Sequence, residues 1–322
     1  MTARRTILRR IIPLVAAVVV VAATIAIVRF VSTGHGEADT AASGQSTAVV
    51  RQPTSAAALP PSSWASPVRI GINGSLPGWS YPSSTPDGYD GFDVALIRFI
   101  KDSLHIEVHL VPMQPGEREK SLLDGTVDLV VANFSMDGKS VAREGSARKD
   151  VLAFAGPYFR DRSGIMLSTK KLYEFTHQNA TIPSELVCVV KGTTAEGYMT
   201  GAKVRRSQAE CFEEIGKSDE VGERVVGAVT DETIVDAYKH AKANDRLAGT
   251  VMWDGQDHPI SPEMYGIGMR KGDPARCREL GGVITEFLVS QGDPWHKAFY
   301  DSLGAQSPKD RKPTAVDPTY CG

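Results

Sequence analysis

The sequence predicts an α/β protein with a largely parallel sheet, and two observations carry that prediction. Short β-branched runs alternate with stretches of helical periodicity from Val68 onward. One run, Val127 to Ala132 (VDLVVA), is almost continuously apolar, as a strand covered on both faces must be. At 322 residues with 42% hydrophobic content, the chain can bury the core of one large or two smaller domains.

Before this domain, Arg4, Arg5, Arg9 and Arg10 precede an apolar run from Ile11 to Val28 broken only by Pro13 and Thr24. About 20 helical residues at ~1.5 Å each cross a ~30 Å hydrocarbon core, so residues 11–31 are expected to form a transmembrane signal anchor. The arginines place residues 1–10 on the cytoplasmic side and the rest of the chain outside the cell membrane, as a single-pass protein with an extracytoplasmic C-terminal domain. The competing assignment is a cleaved signal peptide, whose apolar core is usually shorter, about 7 to 15 residues. Residues 32–66 are rich in Ala, Ser, Thr, Gly and Pro and are expected to be a flexible tether spanning roughly 30 Å.

The globular part opens with VRIGIN, Val68 to Asn73, a strand by its β-branched alternation. A turn-rich stretch follows in which Trp79 and Tyr81 either cap the core or form one wall of a site. Gly91 to Leu104 carries Val94, Ile97 and Ile100 at helical spacing; Ile106 to Pro112 alternates as a strand, and Glu117 to Leu123 makes a short helix ended at Gly125. Between Asp128 and Tyr158 an apolar strand leads through a loop crowded with Lys139, Arg143, Arg148 and Lys149 to a second short strand. Such a loop suits capture of a small anion. Gly138-Lys139-Ser140 imitates a phosphate loop, but the glycine which that pattern requires five residues earlier is Asn133.

Further on, Ser163 to Lys171 and Leu186 to Val190 are expected strands, the latter running into a helix at Lys191 to Thr194. Asp231 stands at the next strand-to-helix junction, Ala248 to Trp253 and Glu263 to Asp273 are strands, and two closing helices are split at Gly292-Asp293-Pro294. A net charge of -2 without like-charge runs speaks against a nucleic-acid partner. Cys188, Cys211, Cys277 and Cys321 have no metal-ligand spacing; in an exported domain they suggest two disulfides, and of the three pairings Cys188 with Cys211 and Cys277 with Cys321 closes the shortest loops. No HExxH or GxSxG pattern occurs, and no residue pattern calls for a metal or cofactor.

VRIGIN, PGWSY, GYDGFDVALI, DGTVDLVVAN, ARKDVLAFAGPYF, VVKGTTAE, AVTDE and YGIGMRKGD, in this order, resemble the family 3 extracellular solute-binding proteins, the polar amino-acid receptors of ABC importers. The resemblance covers about Val68 to Leu303 and implies the type II periplasmic-binding-protein fold, two α/β lobes joined by two hinge strands. Lobe 1 would comprise 67–165 with 265–305, lobe 2 166–264, and 306–322 a polar tail. It also implies a ligand set: Arg148, six residues before Phe154, for the carboxylate, with Arg143 as the alternative because extra residues lie between Asp137 and Arg148; Ser135 as the early hydroxyl; Thr193 and Thr194 at the start of a helix; Asp231 for the ammonium; and Trp79 over the aliphatic part. Arg148 otherwise reads as a solvated cation, Thr194 as an ordinary cap and Asp231 as a helix-start aspartate. The implied function is a non-enzymatic, monomeric receptor that delivers a polar or acidic amino acid, glutamate, glutamine or similar, to an ABC permease. Arg160 and Arg162 would favour an acidic side chain if they face the cleft. Alternatives are a membrane-anchored sensor and a prephenate or arogenate (cyclohexadienyl) dehydratase-like enzyme, for which Glu232 and His258 are candidate acids.

Overall fold

A computed structural model describes residues 64–178, 182–216, 225–242, 247–252, 259–304 and 310–322. The expected anchor at 11–31, the basic segment before it, the tether up to residue 63, Trp253 and His258 lie outside the described residues. Among the described residues no helix is long and apolar enough to cross a membrane.

The first lobe begins with β1 (Val68–Ile72), whose alternate side chains enter the core, and continues through the hairpin of β2 (Tyr81–Pro82) and β3 (Tyr89–Asp90) to α1 (Phe92–Leu104). The buried stripe of α1, Val94, Ile97 and Ile100, follows the spacing of the sequence, and the helix stops at His105 in a left-handed conformation. Next come β4 (Val108–Pro112), α2 (Arg118–Leu123) and β5 (Leu129–Val130). β4 and β5 flank β1, both parallel to it. Just beyond β5 the carbonyls of Ala132 and Asn133 accept from the Arg118 guanidinium rather than from a neighbouring strand.

After α3 (Arg148–Val151) the chain enters β6 (Leu152–Ser168), a 17-residue strand that begins well before the expected hinge strand at Ser163. It leads to α4 (Thr169–Gln178), β7 (Val187–Val190), α5 (Thr194–Tyr198), β8 (Lys203–Arg205), α6 (Gln208–Gly216), β9 (Gly227–Asp231), α7 (Glu232–Lys242), β10 (Leu247–Val251) and β11 (Pro262–Arg270). Two helices close the fold, α8 (Pro274–Val289) and α9 (Pro294–Leu303), each with an aspartate N-cap, Asp273 and Asp293.

Apart from the β2-β3 hairpin, the strands form one sheet in the order β4-β1-β5-β11-β6-β9-β7-β8, with β10 on β6. From Leu152 to Arg162, β6 pairs antiparallel with β11, and from Ser163 onward it pairs with β9 and β10. The change of partner between Arg162 and Ser163 marks the passage from one lobe to the other, and β11 makes the return. Within this sheet antiparallel pairing always involves β6 or β11, while β1, β4, β5 and β7, β8, β9 are parallel among themselves.

Cys188–Cys211 joins β7 to α6 and Cys277–Cys321 joins α8 to the tail, the pairing with the shortest loops. The tail is laid along β6: Arg160 N–H donates to the Arg311 carbonyl at 2.8 Å and Asp317 N–H to the Gly156 carbonyl at 2.7 Å.

Candidate functional site

The extra residues between Asp137 and Arg148 form an excursion pinched at its base. Arg148 N–H donates to the Gly138 carbonyl at 2.8 Å, and Ser140 N–H to the Ser146 carbonyl at 2.9 Å. The chain therefore re-enters at Arg148 as if the excursion were absent. Glu119, on α2, holds the excursion from inside through the Ser140 hydroxyl at 2.6 Å and the Val141 and Ala142 amides. Its carboxylate also meets Arg148 Nε at 3.2 Å, an ion pair whose side chains are 1% and 2% exposed. A Cβ at Gly138 would stand 2.2 Å from Arg148 Nη1, so a larger residue there would displace that guanidinium. Arg143, by contrast, is exposed on the excursion.

A second arginine lies beside the first. Arg118 is 4% exposed and donates from Nε to the Pro115 carbonyl, and from Nη1 to those of Ala132 and Asn133. Arg118 and Arg148 both stack on Phe134, 4.7 and 5.2 Å from its ring centroid. The two guanidiniums converge on one acceptor of the other lobe, the Gly192 carbonyl, at 2.7 and 2.8 Å. Gly192 has φ +76, and a Cβ there would meet Gly116 Cα at 2.6 Å, so the lobes are closed backbone against backbone. Burial and the neighbouring Arg148 push the Arg118 guanidinium down to about 9.

Below this seam is a cavity of about 20 Å³, space for one water. Arg118, Asn73, Asn133 and Ser135 line it from the first lobe, and Thr193, Thr194, Gln208, Thr230 and Asp231 from the second. Asn133 is 6% exposed, and neither polar atom of its side chain has a protein partner. Asp231 accepts from the Tyr265 hydroxyl; burial, then Glu263 and Asp161, push its carboxyl well above the usual range. Glu263, on β11, accepts from Ser135, from Ser261 at 2.6 Å and from Thr194 at 3.1 Å, which bridges both lobes; burial raises its carboxyl too.

The model for bacterial extracellular solute-binding proteins, family 3, matches residues 68–291. The chain belongs to this family. Solved structures share the fold of this solute-binding protein at low identity. An ancestral arginine-binding protein bound to glutamine is 22% identical with a TM-score of 0.58, covering 75% of this chain and 99% of that one. The L-cysteine solute receptor of Neisseria gonorrhoeae is 22% identical with a TM-score of 0.58, covering 78% and 95%. An ancestral amino acid-binding protein, a precursor of cyclohexadienyl dehydratase, is 21% identical with a TM-score of 0.56, covering 73% and 95%.

Of the residues anticipated for the ligand, Ser135, Thr193, Thr194 and Asp231 line the cavity of this solute-binding protein, and Arg148 borders it through Ser135 and Gly192. Trp79 requires correction: it is 0% exposed and packed edge-on against Phe92, Phe159 and Tyr265, so it belongs to the core and does not wall the cleft. α5 has only five residues, too few for a strong dipole, and Thr194 acts through its hydroxyl on Glu263. Arg160 is exposed, while Arg162 pairs with Glu232 at 2.6 Å; neither lines the cavity. Sequence reasoning missed Arg118, Asn133, Gln208 and Glu263. An available signal was the asparagine ending an otherwise apolar strand, VDLVVAN, where a strand's carboxyl end faces a crevice.

Behind the cavity, Asp93 accepts from the Tyr158 hydroxyl at 2.8 Å, and burial pushes its carboxyl up to about 7. The folded state thus favours neutral Asp93 relative to the unfolded chain, where it titrates near ~3.9. That contribution is complete below about pH 4 and is lost as pH rises through about 7. Asp93→Asn, which still offers Tyr158 an acceptor, is expected to flatten this loss by a few kcal/mol, at about 1.4 per pH unit. Urea unfolding at about pH 4.5 and about pH 7.5 measures it; equal pH dependence in variant and wild type would clear Asp93 of the role.

Proposed function

We propose that this protein captures a polar amino acid between its lobes and delivers it to an ABC importer. The convergence of Arg118 and Arg148 on the Gly192 carbonyl, with Asp231 on the same cavity, carries this reading. A carboxylate is a stronger acceptor for two guanidiniums than a neutral carbonyl, so a ligand carboxylate displaces Gly192 O as the lobes part and reclose. Its ammonium then meets Asp231. Each half of the ligand relieves a buried cluster of like charge: the arginines on one side, and Asp231, Glu263 and Asp161 on the other.

The side chain of the ligand is read from the amides. Asn73, Asn133 and Gln208 line the cavity, and Arg118 is the sole cation among its described lining residues. Once Arg118 serves the α-carboxylate, no cation remains there for a second one, which favours a neutral, glutamine-like side chain over glutamate. The cavity must enlarge to admit it, which the crossing strands β6 and β11 permit by bending. In this reading the segment 11–31 anchors a monomeric receptor beside its permease, and the amino-acid ligands named for several structural relatives support the ligand class.

Calorimetry against the common L-amino acids tests the proposal: micromolar or tighter binding of a neutral polar member is expected, and no binding to any would remove it. A second reading, the dehydratase, has one observation behind it, the buried Glu263 carboxyl, raised by burial and hydrogen-bonded to the cavity-lining Ser135 and Thr194. Glu232 is a poorer acid, since Arg162 and Arg311 hold its carboxyl down against the effect of burial. Turnover of prephenate would transfer the protein to that class.

A further inference from the structure

The C-terminal tail sends an arginine to the back of the site. Arg311 is 7% exposed, with Nη1 on Asp161 at 2.7 Å and Nη2 on Glu232. Asp161 lies on β6 just before that strand exchanges β11 for β9, and Glu232 is the first residue of α7 in the second lobe. The tail itself is fixed to the first lobe, by Asp317 N–H on the Gly156 carbonyl and by the Cys277–Cys321 bridge. One guanidinium therefore ties the hinge and the second lobe to a strap rooted in the first.

A short relay leads from Asp161 into the cavity. Its Oδ1 accepts from Arg311 and from Arg162 N–H at 2.9 Å, and its Oδ2 from the Thr233 hydroxyl. The Tyr265 hydroxyl stands 3.3 Å from that same Oδ2 while hydrogen-bonded to Asp231. It has a single proton to give. With Asp161 already served by three other donors, that proton goes to Asp231 and fixes the plane of the carboxylate. Other charged and titratable groups around the relay are Arg162 on β6, Glu232 and Asp236 on α7, Glu263 on β11, and, facing Asp231, Arg118, Arg148 and Tyr198.

We propose that Arg311 is a positioning residue of the ligand site: through Asp161 and Tyr265 it sets the orientation of Asp231, and through Glu232 it holds the second lobe behind that carboxylate. This assignment rests on Asp231 being the ammonium partner. Without Arg311, Asp161 becomes a buried carboxylate with no cation on it, next to Asp231, and it competes for the Tyr265 proton. Arg162 donates to Asp161 through its backbone N–H, and its side chain is engaged with Glu232.

The full-length protein is screened by thermal shift against the common L-amino acids, and the one that raises Tm most becomes the calorimetric probe. Arg311→Gln is expected to weaken its binding about 10-fold or more, with Arg311→Lys, which keeps the charge but not the fork, recovering part of the loss. Tyr265→Phe, which keeps the ion pair and the ring, is expected to match Arg311→Gln. In an Asp231→Asn background neither change lowers affinity further, because both act through Asp231. A lower Tm with unchanged affinity, or losses that add to that of Asp231→Asn, would assign Arg311 a purely structural role and overturn the proposal. If Arg311→Gln does not fold, Tyr265→Phe decides, and unchanged affinity there overturns it. Asp231→Asn binding as wild type, or no amino acid binding at all, refutes the site assignment itself and this proposal with it.

Discussion

Arg118→Ala is expected to lower amino-acid affinity about 100-fold or more, a loss of about 3 kcal/mol at 1.4 kcal/mol per tenfold. The substitution removes one of the two guanidiniums that meet at Gly192 and leaves the carbonyls of Pro115, Ala132 and Asn133 without their donor. The Ala132 and Asn133 carbonyls lie just past the end of β5, so Asn133 and Ser135 lose their setting as well. Arg118→Lys keeps the charge but cannot span the same carbonyls with a planar fork, and should recover only part of the affinity. Arg148→Ala is expected to lose a similar factor in binding and more in stability, about 3–5 kcal/mol, because Glu119 is left buried without its cation. Exposed Arg143→Ala should bind as wild type. Calorimetry and urea unfolding on the four variants separate the effects; wild-type affinity in Arg118→Ala would return the carboxylate to Arg148 alone.

The scaffold was legible because its signals are local. The stripe of α1, the β-branched runs of β1 and β9 and the split between α8 and α9 at Gly292-Asp293-Pro294 all appear where periodicity and turn chemistry place them. Arg148 was reached by counting back from Phe154, and in the structure that arginine follows an excursion pinched at Gly138. Arg118 was not legible. It stands between Glu117 and Glu119 in a run of charges that reads as a solvated helix face, and its partners are backbone carbonyls brought together only by the tertiary fold. Trp79 failed for the opposite reason: a large aromatic in a Pro- and Gly-rich loop fits a site wall and a core plug equally well, and the ring cluster around Phe92 and Phe159 chose the core. Arg311 lies in a polar stretch beside Asp310 and Lys312, where nothing local distinguishes a buried ion pair from surface charge.

Removal of the tail bridge, as Cys277→Ser with Cys321→Ser, is expected to destabilise the protein by about 4 kcal/mol from loop entropy alone, for a sequence separation of 44 residues. The corresponding change at Cys188 and Cys211, separated by 23 residues, should cost about 3.5 kcal/mol on the same basis. The difference between the two bridges is expected to exceed this half-kilocalorie, because the tail bridge also secures contacts that the other does not. Tyr320 on Asp137 at 2.8 Å, Asp317 on Gly156 and Arg311 on Asp161 all depend on the tail staying in place. Freed at Cys321, the strap pays its ordering entropy without covalent help, and the buried Arg311 pair becomes the first contact exposed to water. Urea unfolding of the two double variants measures the comparison, and the tail variant should also bind its amino acid more weakly, as Arg311→Gln does. Equal losses in stability with unchanged affinity would show that the strap holds by its own contacts and that the bridge only shortens the unfolded chain.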